Sequence, residues 1–165
     1  VPDGEAIRLV GVNDSAACEI TLEVSALAMD GTLRPLMRAD GDLAADALTL
    51  CTVPLSDLHP QEMLYFAWTT STGQSGADHF APLPYKSYDL QPAGVSLAQD
   101  GNRLTVTSTG LALFAAVEAN VAGRFDKNAL LLLPGQTNAI TFAPAGDGAT
   151  PTFTLRDLHS ATYAQ

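Results

Sequence analysis

The sequence is poor in cations, in cysteine, in histidine and in tryptophan, and it has no long apolar run. Only 8 of its 165 residues are Lys or Arg, against 18 Asp or Glu, which gives a formal net charge of −10. A field of that sign repels phosphate backbones, and no basic cluster stands out as a local exception. Nucleic acid is thereby excluded as a partner, and an anionic membrane surface is disfavoured. The longest unbroken apolar stretches, such as Ala129-Leu130-Leu131-Leu132-Leu133, fall far short of the roughly 18 to 20 residues that cross a bilayer as a helix. No membrane partner is expected.

Two cysteines, Cys18 and Cys51, are too few for a disulfide scaffold. Their separation suits a bridge between facing strands of a sandwich. Two buried free thiols is the plainer reading, because free Cys is among the most buried residue types. The histidines His59, His79 and His159 are isolated, with no spacing suited to a metal. No metal and no cofactor are expected. Val1-Pro2-Asp3-Gly4 lacks the basic and apolar regions of a signal peptide, and there is no initiator Met. The expectation is a chain that begins inside a longer gene product.

What is present is core material with a period of two. Hydrophobic residues make up 47% of the chain and charged residues 16%, the opposite of a disordered composition. Cys18, Ile20, Leu22, Val24 and Ala26 alternate with Glu19, Thr21, Glu23 and Ser25, as in a half-buried strand. Met29-Asp30-Gly31-Thr32 follows, and Asp-Gly between apolar runs predicts a hairpin. Further strands are expected over 33–38, 48–53, 63–70 and 77–81, with Asp40-Gly41-Asp42 as a turn. Later, Val95 and Leu97 precede an Asp100-Gly101-Asn102 turn, and Leu104 and Val106 alternate with Thr105 and Thr107. Strands are also expected over 113–120, 129–133, 137–142 and 153–158. Gly123 to Asn128 and Gly146-Asp147-Gly148 read as loops.

Between the halves, residues 81–92 carry three prolines in twelve residues. Proline lacks a backbone donor and cannot occupy a central strand. This stretch reads as an extended connector whose aromatics, Tyr85 and Tyr88, pack onto the domains it joins, with Lys86 between them. Many short strands with frequent turn signals, and no convincing helical periodicity, indicate all-β sandwiches or barrels. Two domains are expected, over 1–83 and 84–165.

The connector and the second half resemble a known family. Phe80-Ala81-Pro82-Leu83-Pro84-Tyr85-Lys86 is similar to the connector that leads into the last domain of β-mannosidases of glycoside hydrolase family 2. Gly123-Arg124-Phe125-Asp126-Lys127-Asn128, running on to Leu133-Pro134-Gly135-Gln136-Thr137, resembles that domain's signature. The first half, with its Val12-Asn13-Asp14 opening, is similar to the preceding immunoglobulin-like domain. Gln136 stands where an acidic residue is commoner, and Ala129 and Leu130 replace aromatics usual after Asn128. These departures leave room for a sister activity, an exo-β-glucosaminidase or β-galactosidase.

The resemblance implies two tandem immunoglobulin-like β-sandwich domains that buttress the catalytic barrel of their own parent chain, a retaining glycosidase. Such an enzyme uses two glutamates about 5 to 5.5 Å apart on a (β/α)8 barrel of roughly 250 residues. Neither the length nor the βα alternation is present here. The five glutamates are Glu5, Glu19, Glu23, Glu62 and Glu118, and no Asn-Glu acid/base motif of the parent family occurs. No catalytic residue is therefore assigned, and these domains are expected to be non-catalytic by themselves. If a loop reaches the rim of the parent's pocket, Arg124 and Phe125 are its candidates. The plainer alternative pairs Arg124 with Asp126 and buries Phe125 in the sandwich. A bacterial periplasmic or secreted location is the corresponding expectation.

The competing function is an autonomous carbohydrate-binding module with an oligosaccharide as partner. It needs an exposed aromatic platform. Trp68, the single tryptophan, shares a strand face with Leu64 and Phe66, which favours a core position. Ser71 and Ser75 lack a nucleophile-elbow context, and Asp40 and Asp42 lack the remaining oxygen ligands of a calcium loop.

Overall fold

The computed structural model describes residues 1–44, 46–146 and 150–163. The chain divides into two compact units, Val1–Ala28 with Thr32–Asp89, and Met29–Gly31 with Leu90–Gln165.

The first unit is built from β1 (Pro2–Asp3), β2 (Ala6–Val12), β3 (Cys18–Leu27), β4 (Leu33–Leu43), β5 (Ala47–Pro54), β6 (Met63–Thr70) and β7 (Ser75–Phe80). They form two antiparallel sheets, one ordered β1-β2-β5 and one ordered β4-β3-β6-β7. The sequence alternation of β3 becomes its burial pattern. Ile20, Leu22, Val24 and Ala26 are buried, whereas Glu19 and Glu23 are exposed. Ile7, Leu9 and Val53 of the first sheet pack against Leu22, Val24 and Leu64 of the second, so the core lies between two layers. Each such side chain, fully buried, contributes about 1.5–3 kcal/mol of apolar transfer.

The hairpin expected at Met29 to Thr32 is present. It joins β3 to β4, closed by the Ala28 amide donating to the Thr32 carbonyl at 3.0 Å. Asp40-Gly41-Asp42 is not the turn expected of it. It continues β4, opposite Thr21, Ile20 and Glu19 of β3. Polarity there marks the solvent face of a strand and not its end, and the Thr21 hydroxyl donates to Asp40 Oδ1 at 2.6 Å across the pair.

The second unit is again a three-stranded sheet on a four-stranded one, in a different strand order, built from β8 (Ser96–Asp100), β9 (Arg103–Thr107), β10 (Ala112–Ala119), β11 (Gly123–Phe125), β12 (Leu130–Leu132), β13 (Thr137–Pro144) and β14 (Phe153–Arg156). The sheets are ordered β12-β10-β14 and β11-β13-β9-β8. Leu104, Val106 and Ile140 of one layer meet Ala112, Ala115, Val117 and Leu132 of the other. Gly123 to Phe125, expected as loop, is a short strand registered on Phe142 to Pro144. The strand expected over 153–158 stops at Arg156, because Asp157 caps a one-turn helix, α1 (Leu158–Tyr163). The Ser160 amide donates to Asp157 Oδ1 at 2.8 Å, and the Asp157 amide donates to Ser160 Oγ at 2.9 Å, a reciprocal capping box. Of the loop expected at Gly146-Asp147-Gly148, residues 147 and 148 lie outside the described residues.

The units part between Asp89 and Leu90, six residues beyond the boundary at 83/84 read from proline content. The reason is local bonding. Tyr88 is buried, and its hydroxyl accepts from the Leu83 amide at 3.1 Å. Gln61, in the left-handed region at φ 69°, donates from Nε2 to the Ser87 carbonyl at 2.9 Å. Its Oε1 accepts from the Asp89 amide at 2.7 Å. Residues 84–89 are thus fastened to the first sandwich.

Candidate functional site

The sequence-expected rim residues share β11 but not a face. Arg124 is exposed, whereas Phe125 is half-buried, and its ring lies 4.9 Å from Phe142 and 6.1 Å from Phe153. Phe142 and Phe153 meet edge to face at 5.3 Å, so Phe125 completes a trio of rings inside the sandwich. Gly123 is required by this packing. A Cβ there would stand 2.2 Å from Phe142 Cζ and 2.6 Å from the Ala143 carbonyl. Asp126 does not pair with Arg124 among the described residues. Its Oδ1 accepts from the Thr141 and Lys127 amides, both at 2.8 Å, and the Thr141 bond leads the set that holds its carboxyl below the usual carboxylate range. Of the two candidates, only Arg124 presents its side chain to solvent.

The motif's last residue, Asn128, works on the backbone. Its Oδ1 accepts from the Val117 amide and its Nδ2 donates to the Val117 carbonyl, both at 2.8 Å, so the amide stands in for one residue of a paired strand beside β10. Ala129 follows in the left-handed region at φ 54°.

In the connector, Tyr85 and Tyr88 are brought together with the first sandwich, and Lys86 is left exposed. The Tyr85 hydroxyl lies 2.9 Å from His79 Nε2. Burial holds the His79 imidazole below its ordinary value, against the opposing pull of the Asp78 carboxylate 3.4 Å away. Burial also pushes the Tyr85 and Tyr88 phenols up.

The glutamates are dispersed. Glu5, Glu19 and Glu23 are exposed. Glu62 takes a forked contact from Arg34, with Nε to Oε1 at 3.3 Å and Nη2 to Oε2 at 2.6 Å. That hydrogen bonding holds the Glu62 carboxyl low and the Arg34 guanidinium high. Glu118 pairs with Arg156 across strands β10 and β14. Cys18 and Cys51 are free thiols, half-buried where full burial was expected.

One feature escaped the sequence reading. The two sheets of the first unit part at one end into a cleft of about 290 Å³. Leu9, Ile20, Leu22, Leu50, Phe66 and Trp68 wall it, and Asn13, Thr70 and Gln74 stand at its polar edge. Among the described residues none of its lining side chains is charged. Trp68 points inward as expected, opposite Leu22, and its ring lies across Gly76 of β7, where a Cβ would come within 2.7 Å of it. The indole edge is therefore part of a wall between sheets and not a platform on the surface. A hexose in this cleft would leave most of its hydroxyls facing hydrocarbon, at about 1–3 kcal/mol for each left unpaired. The alternation of β3 and the shared face of Leu64, Phe66 and Trp68 on β6 point to core positions for Ile20, Leu22, Phe66 and Trp68, whereas no strand was expected over 6–12, where Leu9 lies. No local signal says that facing core residues fail to meet.

Residues 90–161 match the family described as Ig_mannosidase, an Ig-fold domain, and the match begins where the second unit begins. Among solved structures, the chain aligns over 96% of its length with the β-D-mannosidase of Dictyoglomus thermophilum, at 19% identity and a TM-score of 0.73. It aligns over 91% with the exo-chitosanase of Amycolatopsis orientalis, at 16% identity and a TM-score of 0.65. It spans only 21% and 24% of those two chains. No curated protein matches the sequence significantly. The second unit is thus an Ig-fold domain of the Ig_mannosidase type, and the likeness to the solved enzymes establishes tandem β-sandwiches across both units.

Proposed function

We propose that the two sandwiches are non-catalytic accessory domains of a β-mannosidase-like glycosidase of glycoside hydrolase family 2, and that they buttress the catalytic barrel of the same chain. The observation that carries this reading is the Ig_mannosidase match over 90–161, joined to a whole-chain alignment on a β-D-mannosidase about five times as long. The site chemistry supports it. Glu62 and Glu118 are committed to arginines, and Phe125 and Asn128 of the signature hold the sandwich together. Arg124 is exposed on that signature and is the residue proposed to reach a pocket rim. The aligned exo-chitosanase supports a sister specificity for β-linked glucosamine.

The test uses a longer protein containing this chain, with and without residues 1–165, on p-nitrophenyl β-mannoside and p-nitrophenyl β-glucosaminide. The reading expects hydrolysis of one of them by the longer protein, and a lower thermal midpoint with reduced kcat when the two sandwiches are removed. Unchanged stability and kcat after removal would overturn the buttress role. Hydrolysis of neither substrate would overturn the specificity.

A further inference from the structure

We propose that the cleft between the sheets of the first unit binds a small neutral molecule of one or two rings that carries a single polar group. The inference stands on this chain's own geometry and is independent of the enzyme proposed above.

Volume comes first. At the packing density of protein interiors, about 0.75, a space of about 290 Å³ holds a molecule of roughly 220 Å³, the size of a substituted bicyclic ring. An enclosed apolar cavity half that size takes up benzene, and the leucine, isoleucine and aromatic walls of this open cleft offer a ring the same kind of contact. Charge comes second. The first unit carries four basic and twelve acidic residues, yet none of the cleft's described lining side chains is charged. A charged guest would lose its hydration with no counter-ion to replace it.

Polarity at the mouth comes third. Asn13 is fully engaged. Its Nδ2 donates to the Ala16 and Leu43 carbonyls, and its Oδ1 accepts from the Ser15 amide and hydroxyl. Thr70 is engaged with Thr72 and with the Gln74 backbone. Gln74 lines the cleft and is exposed, so its side-chain amide is within reach of a guest's polar group. One available amide fits one polar substituent and not the several hydroxyls of a sugar. Val12, exposed at 74%, supplies an apolar lip at the mouth.

Trp68 lies in the wall and is the only tryptophan, so the protein carries its own reporter. The probe is prodan, a neutral naphthalene whose ketone is its one strong hydrogen-bonding group (its dimethylamino nitrogen is conjugated with the ring), titrated into the 165-residue chain. The expected result is a saturable one-site blue shift of prodan emission, with quenching of Trp68 by energy transfer and no displacement by mannobiose or chitobiose. Cys18→Phe and Thr70→Phe each place a ring into the space. Whichever of them keeps a native circular dichroism spectrum should bind at least tenfold more weakly. Absence of saturable binding would overturn the proposal, and so would equal affinity in a natively folded filled variant. Displacement of prodan by a sugar would also overturn it. So would binding by the 165-residue chain that vanishes in a longer protein containing it, since the cleft would then be a socket for that protein's own residues.

Discussion

The two units solve one architectural problem with different interiors. Each lays a three-stranded sheet on a four-stranded one. The second unit fills the space with small aliphatic residues and closes one side with the Phe125, Phe142 and Phe153 rings, admitted by the bare backbone of Gly123. The first unit has longer strands and one tryptophan, and its layers part around a cleft of about 290 Å³. Charge divides the same way. The first unit carries a formal −8 from four basic and twelve acidic residues, whereas the second carries −2 from four and six. The same pair of layers thus leaves strand order, packing and surface charge free to differ, and function can follow the difference.

The interior contrast gives the largest expected effect. Phe142 is buried at 2% exposure within a ring cluster, so Phe142→Ala should cost about 3–5 kcal/mol in urea unfolding. Phe66 is half-buried against a space that already exists, so Phe66→Ala creates less new void and should cost about 1–2 kcal/mol. Equal losses would mean that the cleft closes in solution.

A similarity between the units comes next. Each uses one side-chain amide as a backbone clamp, Asn128 on Val117 and Gln61 on Ser87 and Asp89. Asn128→Ala leaves the polar groups of a central strand without their partner and should cost about 1–3 kcal/mol. Gln61→Ala frees only an exposed connector and should cost under about 1 kcal/mol. Amide exchange at Val117 and at Asp89 would read the two losses separately.

The fold was legible in the sequence wherever burial follows a period of two. β3, β9 and β13 carry it plainly, and turns such as Asp100-Gly101 punctuate it. Legibility failed where tertiary bonding overrides local chemistry. Asp40 to Asp42 reads as a turn because local polarity resembles a strand end, yet β3 opposite is long enough to hold it in the ladder. The connector read as a boundary because of its prolines, yet Gln61 and the Tyr88 hydroxyl tie it to the first unit. The candidate site was half legible. Gly123 to Asn128 could be singled out as a motif, but not that Phe125 faces inward while Arg124 faces out. The cleft is a property of two strands failing to meet, and it leaves no trace in either strand alone.

Acid should separate the units further. Burial in the folded state holds the His79 imidazole below its ordinary value of about 6.5, so the unfolded chain binds more protons as the pH falls past that value. The stability His79 contributes is present above about pH 6.5 and is lost as the pH drops from there toward its lower folded value. Thermal midpoints between pH 7.5 and 5 should fall less steeply in His79→Gln than in the parent sequence. The smallest effect is that of salt. Raising ionic strength should slow amide exchange in the first unit more than in the second, because self-repulsion is screened where like charge is concentrated.

The most direct test of the accessory-domain reading is hydrolysis of p-nitrophenyl β-mannoside by the purified 165-residue chain, beside a longer protein that contains it. The account predicts turnover by the longer protein and none above background by the chain alone. Turnover by the chain alone would contradict it, for the two sandwiches would then hold a catalytic centre of their own.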